Sequence, residues 1–376
     1  MAHQFGHNPE IDGHWLALTE RIYIEGARWL DRVLEACPTP EAVLESTPSC
    51  IATSELEALK QALSTSAPIT LPEALTGPPH GLWIVTPRDN EYPPLLRECS
   101  DRPPFLFAKG DPRLLGMPML SIVGTRKPSL DGRRAATEFA TAAVQADFCV
   151  ASGLALGIDS LVHDAAMRAD GLTVAVLPSG IDQIYPRRHE QLARRIVGSG
   201  VLVSEFPLRS PPRRHHFHRR NRTLSGLSGS TLVVEAGRPS GTLLTASAAA
   251  DQGRNVLVLP WSIYHTGGAG CHYLLRDGAE LVQSVEDLFA CLGVRPDSPA
   301  SNSAPTPMGT ESEWPLESVP ESDQQRVMLL LGRGVHRVED IATSMGWDMN
   351  RCLSCLSGLE VLGSVVRMPE GYRAAH

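Results

Sequence analysis

Between residues 118 and 290, short and nearly unbroken apolar runs alternate with helical patterns, and nothing else in the chain limits its fold as tightly. The runs are "MLSIVG" (119–124), "FCVAS" (148–152), "TVAVLP" (173–178), "VLVSEF" (201–206), "STLVVEA" (230–236) and "NVLVLP" (255–260). Strands read this way when helices cover both faces of their sheet. Between them lie stretches such as "RRAATEFATAAVQA", which places Ala136, Phe139, Ala140 and Ala143 on one helical face. The alternation implies right-handed crossovers and an α/β fold built on a doubly wound parallel sheet. Ligands of such sheets sit at the carboxyl ends of the strands, near the point where strand order reverses. The turns after the strands are therefore the places to search for function.

The flanks read differently. Residues 14 to about 65 suggest short helices in "WLALTERI", "ARWLDRVLEAC", "PEAVLES" and "SELEALKQAL". A Pro-rich connection and an irregular lead-in follow, with one short strand expected at Phe105–Ala108. After the sheet region, residues 294 to about 321 are rich in Pro, Ser, Thr and acids, as a flexible linker is. The tail suggests three helices, "SDQQRVMLLLG", "RVEDIATSMG" and "DMNRCLSCLSGLEVLG", then a hairpin in "SVVRMPEGYRAA" turning near Pro369–Gly371. Three helices and a hairpin make a winged-helix pattern. The expected organisation is thus a helical domain (1–75), a sheet domain (76–293), a disordered linker (294–320) and a winged helix (321–376).

With 42% hydrophobic residues, the chain can build a sizeable core. No stretch approaches the roughly 18 apolar residues of a membrane span. The N-terminus lacks a basic-then-apolar signal pattern, so a cytoplasmic location is expected. Among eight scattered cysteines only Cys352 and Cys355 form a CxxC. A zinc site needs four ligands, so these two read as half-buried helical thiols, and neither metal nor cofactor is expected. The net charge of −8 argues weakly against non-specific nucleic-acid binding. Binding, however, answers to the local field rather than to the sum.

Three turns carry phosphate-compatible groups. "SIVGTRKPSLDG" lacks the G-x-G-x-x-G of a dinucleotide site. Its Gly124, Thr125, Arg126 and Ser129 offer backbone N–H groups, a hydroxyl and a guanidinium, which suit a phosphate or an ordinary helix cap with two exposed cations. In "ASGLALGIDSLVHDAAM", Ser152, Gly153 and Gly157 permit a tight turn with open N–H groups. Asp159 and His163 there stand four apart on a helix and could pair. In "VVEAGRPSGTLLTA", Glu235 closes a strand, as a general base or as a group that holds a loop, and Gly241 lies where a helix opens.

The stretch "RRHHFHRRNRTLSGLSGS" (213–230) concentrates cations in an acidic chain, with no Asp or Glu from Phe206 through Val234. It reads as a basic loop that is either solvated or anion-binding. Phe217, amid the arginines and His215, His216 and His218, could stack a base or anchor the loop in the core. Exposed histidines would strengthen anion binding as pH falls through about 6.5.

Taken in order, "VGTRKPS", "SGLALGID", "YP" (185–186), "SEFP", "F-x-x-R-N-R-x-x-S-G-L-S" (217–228), "VVEA" and "SGTLLTA" resemble the DNA-processing protein A family, DprA or Smf. The resemblance covers about 118–280. The front piece is similar to that family's SAM-like domain and the tail to its winged helix, around an extended Rossmann-like sheet. It implies a non-catalytic, homodimeric protein that binds and protects single-stranded DNA and loads the recombinase RecA onto it during natural transformation or recombination. The family's DNA pocket matches Gly124, Thr125 and Arg126, and then Arg214, Phe217, Arg220 and Asn221, with Ser152, Gly153 and Gly241 at turn positions. His189 and His218 stand where the family commonly has Asn and Pro.

Two other readings remain. Rossmann-like phosphoribohydrolases acting on nucleoside monophosphates share a G-G-x-G-T-x-x-E helix opening, but here Thr245 stands at the position of the glutamate. A duplex-DNA regulator could act through the winged helix, yet "DMNRCLSCLSGLEVLG" carries one cation, Arg351, against Asp348 and Glu360. Phosphate contacts dominate DNA affinity, so that helix is poorly equipped.

Overall fold

The computed structural model describes residues 81–294, most of 323–374 and scattered positions between 16 and 64. The chain divides into two compact units, Met1–Ser298 and Pro299–His376. Most of the front helices and of the linker expected from the sequence lie outside the described residues. The front positions that are described, among them Leu16, Tyr23, Val43 and Leu56, are helical.

The first unit is organised by a nine-stranded sheet. Its strands are β1 (Leu82–Val85), β2 (Leu106–Gly110), β3 (Met119–Val123), β4 (Cys149–Ser152), β5 (Thr173–Val176), β6 (Gly200–Ser204), β7 (Ser230–Val233), β8 (Asn255–Val258) and β9 (Glu280–Leu281). The helices are α1 (Pro94–Glu98), α2 (Leu130–Gln145), α3 (Ile158–Arg168), α4 (Glu190–Ser199), α5 (Arg214–Gly226), α6 (Thr242–Asp251), α7 (Ala269–Arg276) and α8 (Val285–Leu292). Across the sheet the order is β1-β2-β6-β5-β4-β3-β7-β8-β9. The chain winds outward from β3 through β4 and β5 to β6. It then returns to lay β7 on the other side of β3, so the order reverses there.

Strands β3 to β9 pair in parallel, as the sequence pattern requires. The expectation of a wholly parallel sheet fails at one edge, where β1 pairs β2 and β2 pairs β6 antiparallel. Parallel neighbours need a crossover connection, and the one-turn helix α1 between β1 and β2 does not make one, so the chain doubles back and the two strands pair antiparallel. The lead-in thus holds two strands instead of one. "LWIV" is too short for periodicity to tell strand from helix.

Alternation along β3 sends Leu120 and Ile122 into a layer with Ala136, Phe139, Ala140 and Val162 of α2 and α3. Met119 and Val123 face the opposite layer, with Leu224, Leu227 and Ala246. Burial on both faces is why these runs show no polar alternation. Leu16, Val43 and Leu56 join Leu82, Phe107, Leu177 and Ile196 in a third cluster, so the described front positions share a core with the sheet.

In the second unit, α9 (Asp323–Gly332), α10 (Val338–Met345) and α11 (Met349–Val361) precede a hairpin of β10 (Val365–Met368) and β11 (Gly371–Ala374). Val327, Ile341, Cys352, Leu356, Val365 and Tyr372 form its core. Cys352 is buried, which pushes its thiol pKa up, while Cys355 is half-buried on the next helical turn. Among the described residues, no helix is long and apolar enough to cross a membrane.

The antiparallel edge needs glycine. Gly110 has φ +121°, and a Cβ there would lie 2.8 Å from the Cα of Val201 on β6. Gly110→Ala should therefore cost about 1–3 kcal/mol. Thermal unfolding should show a Tm several degrees lower. Gly116→Ala, whose Cβ meets open space, should leave Tm unchanged.

Candidate nucleic-acid interface

The turns after β3, β4 and β7 meet where strand order reverses, and Glu235 organises the first of them. Its backbone carbonyl accepts from Thr125 N–H at 2.7 Å. Its carboxylate, buried in the fold, accepts from the N–H and hydroxyl of Ser129 at 2.9 and 3.1 Å. His265 Nε2 donates to its other oxygen at 2.9 Å. Ser129 in turn caps α2 by accepting from Gly132 N–H. Of the two roles the sequence left open for Glu235, the holding role is the one seen. Gly124 is small for packing reasons, since a Cβ would meet Ile158 Cγ1 at 2.5 Å.

The second turn departs from expectation. Two of its N–H groups are not open to an external anion, because Asp159 Oδ2 accepts from Gly153 and Ala155 at 3.2 and 3.3 Å. Ser152 spends its hydroxyl on the Ile122 carbonyl at 2.7 Å. Asp159 and His163 do not pair. His163 Nδ1 donates to Thr173 Oγ1 at 2.7 Å, because that hydroxyl has already given its proton to the Val150 carbonyl. Burial pushes the His163 pKa down to about 3, so the ring is neutral. In the first turn, too, the N–H groups of Thr125, Lys127 and Ser129 are taken. What the first turn presents to solvent is side-chain charge, on Arg126 and Lys127. Gly241, at the opening of α6, is exposed, with open space where its Cβ would be.

The basic stretch is a helix, not a loop: Arg214–Gly226 is α5. Periodicity hid it because the buried positions are polar, with His216, Arg220, Asn221 and Thr223 facing inward. Arg220 is only 6% exposed. Its Nη1 donates to the carbonyls of Gly153 and Val176, and its Nε to Asn221 Oδ1 at 3.0 Å. It also faces Asp159, whose carboxyl burial pushes up while Arg220 pulls it down. Gly153 must lack a side chain because a Cβ would strike this guanidinium.

Phe217 lies half-buried beside this anchor. The guanidiniums of Arg126 and Arg220 each stand 5.8 Å from its ring centroid, within cation–π reach. Tyr185 meets it edge-on at 5.8 Å. The first turn and the basic helix, far apart in sequence, therefore share one ring. Tyr185 escaped the sequence reading as a site residue, although its "YP" was visible there.

The cations divide into two groups. Arg219 pairs with buried Glu205 at 2.8 Å, and Arg222 with Asp101 and Asp251. Arg219, Glu205, Arg222 and Asp101 line a cleft of about 240 Å³ with Leu96, Pro103, Thr223 and Gln252. Its charges are mutually satisfied. By contrast, Arg126, Lys127, Arg209, Arg213 and Arg214 are exposed, and no ion pair engages them among the described residues. Arg213 and Arg214 stand at the N-terminus of α5, where the helix dipole adds positive potential instead of offsetting it.

His216 does not behave as an exposed histidine. Its Nδ1 faces the Pro178 carbonyl at 3.2 Å, so its Nε2 accepts from Tyr23 Oη at 2.5 Å. The ring stacks on Phe206 at 4.0 Å. Burial pushes its pKa down to about 4, so it takes no part in a pH response near 6.5. His215 and His218 are exposed.

Residues 83–293 match the family model described as "DNA recombination-mediator protein A". The chain belongs to the DNA recombination-mediator protein A family, DprA/Smf. Residues 309–371 match the DprA winged helix domain. The chain is 38% identical to Protein Smf of Escherichia coli over 300 residues, spanning 77% of this chain and 78% of that protein. It is also 35% identical to the putative DNA processing protein DprA of Mycobacterium tuberculosis H37Rv over 297 residues, 74% of each chain. DNA processing protein A from Streptococcus pneumoniae superposes with TM-score 0.54 at 29% identity, covering 74% of this chain and 92% of that one. The Helicobacter pylori protein, solved in a study of its single-stranded DNA binding mode, gives 0.51 at 25% identity, covering 56% and 95%. Within this DprA frame, His189 Nδ1 donates to the Leu154 carbonyl at 2.8 Å, pinning the β4 turn.

Two stability measurements check this geometry. Arg220→Met strips the cation facing buried Asp159 and should cost about 3–5 kcal/mol in urea unfolding, whereas exposed Arg214→Met should stay within about 0.5 kcal/mol of the parent. His216 is bound neutral in the fold, with its pKa lowered from 6.5, so its contribution is complete above pH 6.5 and drains away as pH falls toward 4. The drop in urea midpoint between pH 7 and pH 5 should shrink in His216→Gln.

Proposed function

We propose that the protein is a single-stranded DNA-binding recombination mediator, and that its strand runs over the Phe217 ring between Gly124–Arg126 and the N-terminal half of α5. The observation that carries this reading is exposed Arg126 over the half-buried Phe217 ring. Lys127 stands beside it in the turn, and Arg209, Arg213 and Arg214 stand at or before the start of the helix that carries Phe217. All of these cations are exposed and without an ion pair among the described residues. Cations without carboxylate partners can neutralise phosphates without first breaking an ion pair. An aromatic face takes any base. Arg220, Asn221, Ser152 and Gly153 act from beneath, by fixing the platform rather than by touching the strand. Thr125 and Gly241 border it.

The N–H groups of Thr125, Lys127, Ser129, Gly153 and Ala155 are occupied internally. Affinity therefore comes from side-chain charge and stacking, tolerant of sequence and sensitive to salt. The finer family picture accompanies this reading: a cytoplasmic homodimer with a Rossmann-like central sheet and a SAM-like front domain, loading RecA onto the strand it protects. Reversal of strand order at β3 supports the Rossmann-like description. The relationship to recombination mediators supports the RecA role.

Titration of labelled oligothymidylate and a matched duplex over a salt series tests the core of the proposal. The single strand should bind more tightly, with log Kd changing against log salt at about 0.7 per phosphate contacted. Arg126→Ala should weaken binding and flatten that slope. Phe217→Ala should weaken binding by about 1–3 kcal/mol with the slope unchanged. Equal duplex affinity, or indifference to Arg126→Ala, would refute it.

A further inference from the structure

We propose that Tyr185 is a second base-stacking residue, and that the strand continues from Phe217 across Tyr185 to phosphate contacts at Arg187 and Arg188. This rests on the single-strand reading above and extends its footprint.

Tyr185 is 40% exposed, although its neighbour Ile184 packs into the core. Its ring stands edge-on to Phe217, with the planes at 80°. A base lying on Phe217 would therefore meet the Tyr185 ring as a wall, and the next base can lie on that wall's own face. Arg187 and Arg188 follow at once. Both are exposed, and neither has an ion pair among the described residues. The pattern repeats that of Phe217 and its cations: an aromatic ring flanked by unpaired arginines.

The segment is also built to be held still. On one side, Gly180 N–H donates to the Ser210 carbonyl at 2.9 Å, and Arg209 N–H to Asp182 Oδ1 at 2.8 Å. The loop bearing Tyr185 is thereby fastened to the loop that leads into α5. Gln183 N–H donates to the Gly180 carbonyl at 2.8 Å, and the Ser179 hydroxyl to the Gln183 carbonyl at 2.5 Å. On the other side, His189 is tied to the Leu154 carbonyl. Residues 185–188 project between these two anchors. An exposed aromatic ring on a fixed backbone loses little conformational freedom when a base covers it, which is what a stacking platform requires. The cover-only alternative, in which Tyr185 merely shields Phe217, gives no reason for two unpaired arginines beside it.

The test uses the full-length protein with labelled oligothymidylate and an abasic oligomer of equal length. Tyr185→Leu should weaken oligothymidylate binding by about tenfold, within the range of one base–aromatic stack. It should leave abasic binding, the salt slope and Tm unchanged, and Tyr185→Phe should bind like the parent. The double variant Arg187→Ala/Arg188→Ala should reduce the salt slope by about 1.4, that is, two phosphates at 0.7 each. Unchanged oligothymidylate binding in Tyr185→Leu overturns the proposal. So does an equal loss on both oligomers, or a lowered Tm that accounts for the loss. An unchanged slope in the double variant overturns the arginine contacts. A parent protein that fails to bind oligothymidylate defeats the single-strand reading itself, and is distinguishable because it precedes every variant comparison.

Discussion

One buried guanidinium holds the site together. Arg220 reaches from α5 to the carbonyls at the ends of β4 and β5, engages Asn221 beside it, faces Asp159 across Gly153 and lies next to the Phe217 ring. Desolvating a cation is expensive unless its donors are met. Here two carbonyls, an amide oxygen and a facing carboxyl meet them. Asp159 in turn spends one oxygen on the N–H groups of the β4 turn. A charge inside the protein thus fixes the positions of a helix, two strand ends and an aromatic ring. The exposed cations then need supply nothing but potential.

That division of labour explains why the basic stretch looked more uniform than it is. In sequence, the segment from Phe206 through Val234 has no carboxylate, which suggests a continuous anion-binding wall. In space, Glu205, Asp101, Asp251 and Asp159 approach it from other elements. They satisfy Arg219, Arg222 and Arg220, in the later turns of the helix. Arg209, Arg213 and Arg214, at and before its first turn, receive no such partner among the described residues. A charge run in one dimension is therefore a poor guide to which charges are free.

The parallel strands were legible because burial on both faces leaves an unbroken apolar signature. The turn after β3 was legible as a glycine turn leading into a capped helix with exposed cations, but glycine, threonine and arginine in succession left open whether it binds phosphate. The meeting of Arg126 with Phe217 followed only from the resemblance to a family, because nothing local links positions 91 residues apart. Three things were hidden. The helical state of α5 was masked by polar residues on its inward face. The first edge strand was too short to show a period. The occupation of turn N–H groups by Asp159 and Glu235 depends on side chains that read equally well as general bases.

Glu235 carries a consequence of a different kind. Its carboxylate is shared by Ser129, which caps the helix after the Arg126 turn, and by His265, in the loop bearing exposed Ile263 and Tyr264. Gly132 and Gly267 press on the same group, leaving no room for a side chain at either position. Four positions spread over more than a third of the chain therefore answer to one carboxylate. A side chain added at either glycine, or loss of either hydrogen-bonding partner, disturbs the same group, so a surface loop distant in sequence is mechanically tied to the turn that carries Arg126.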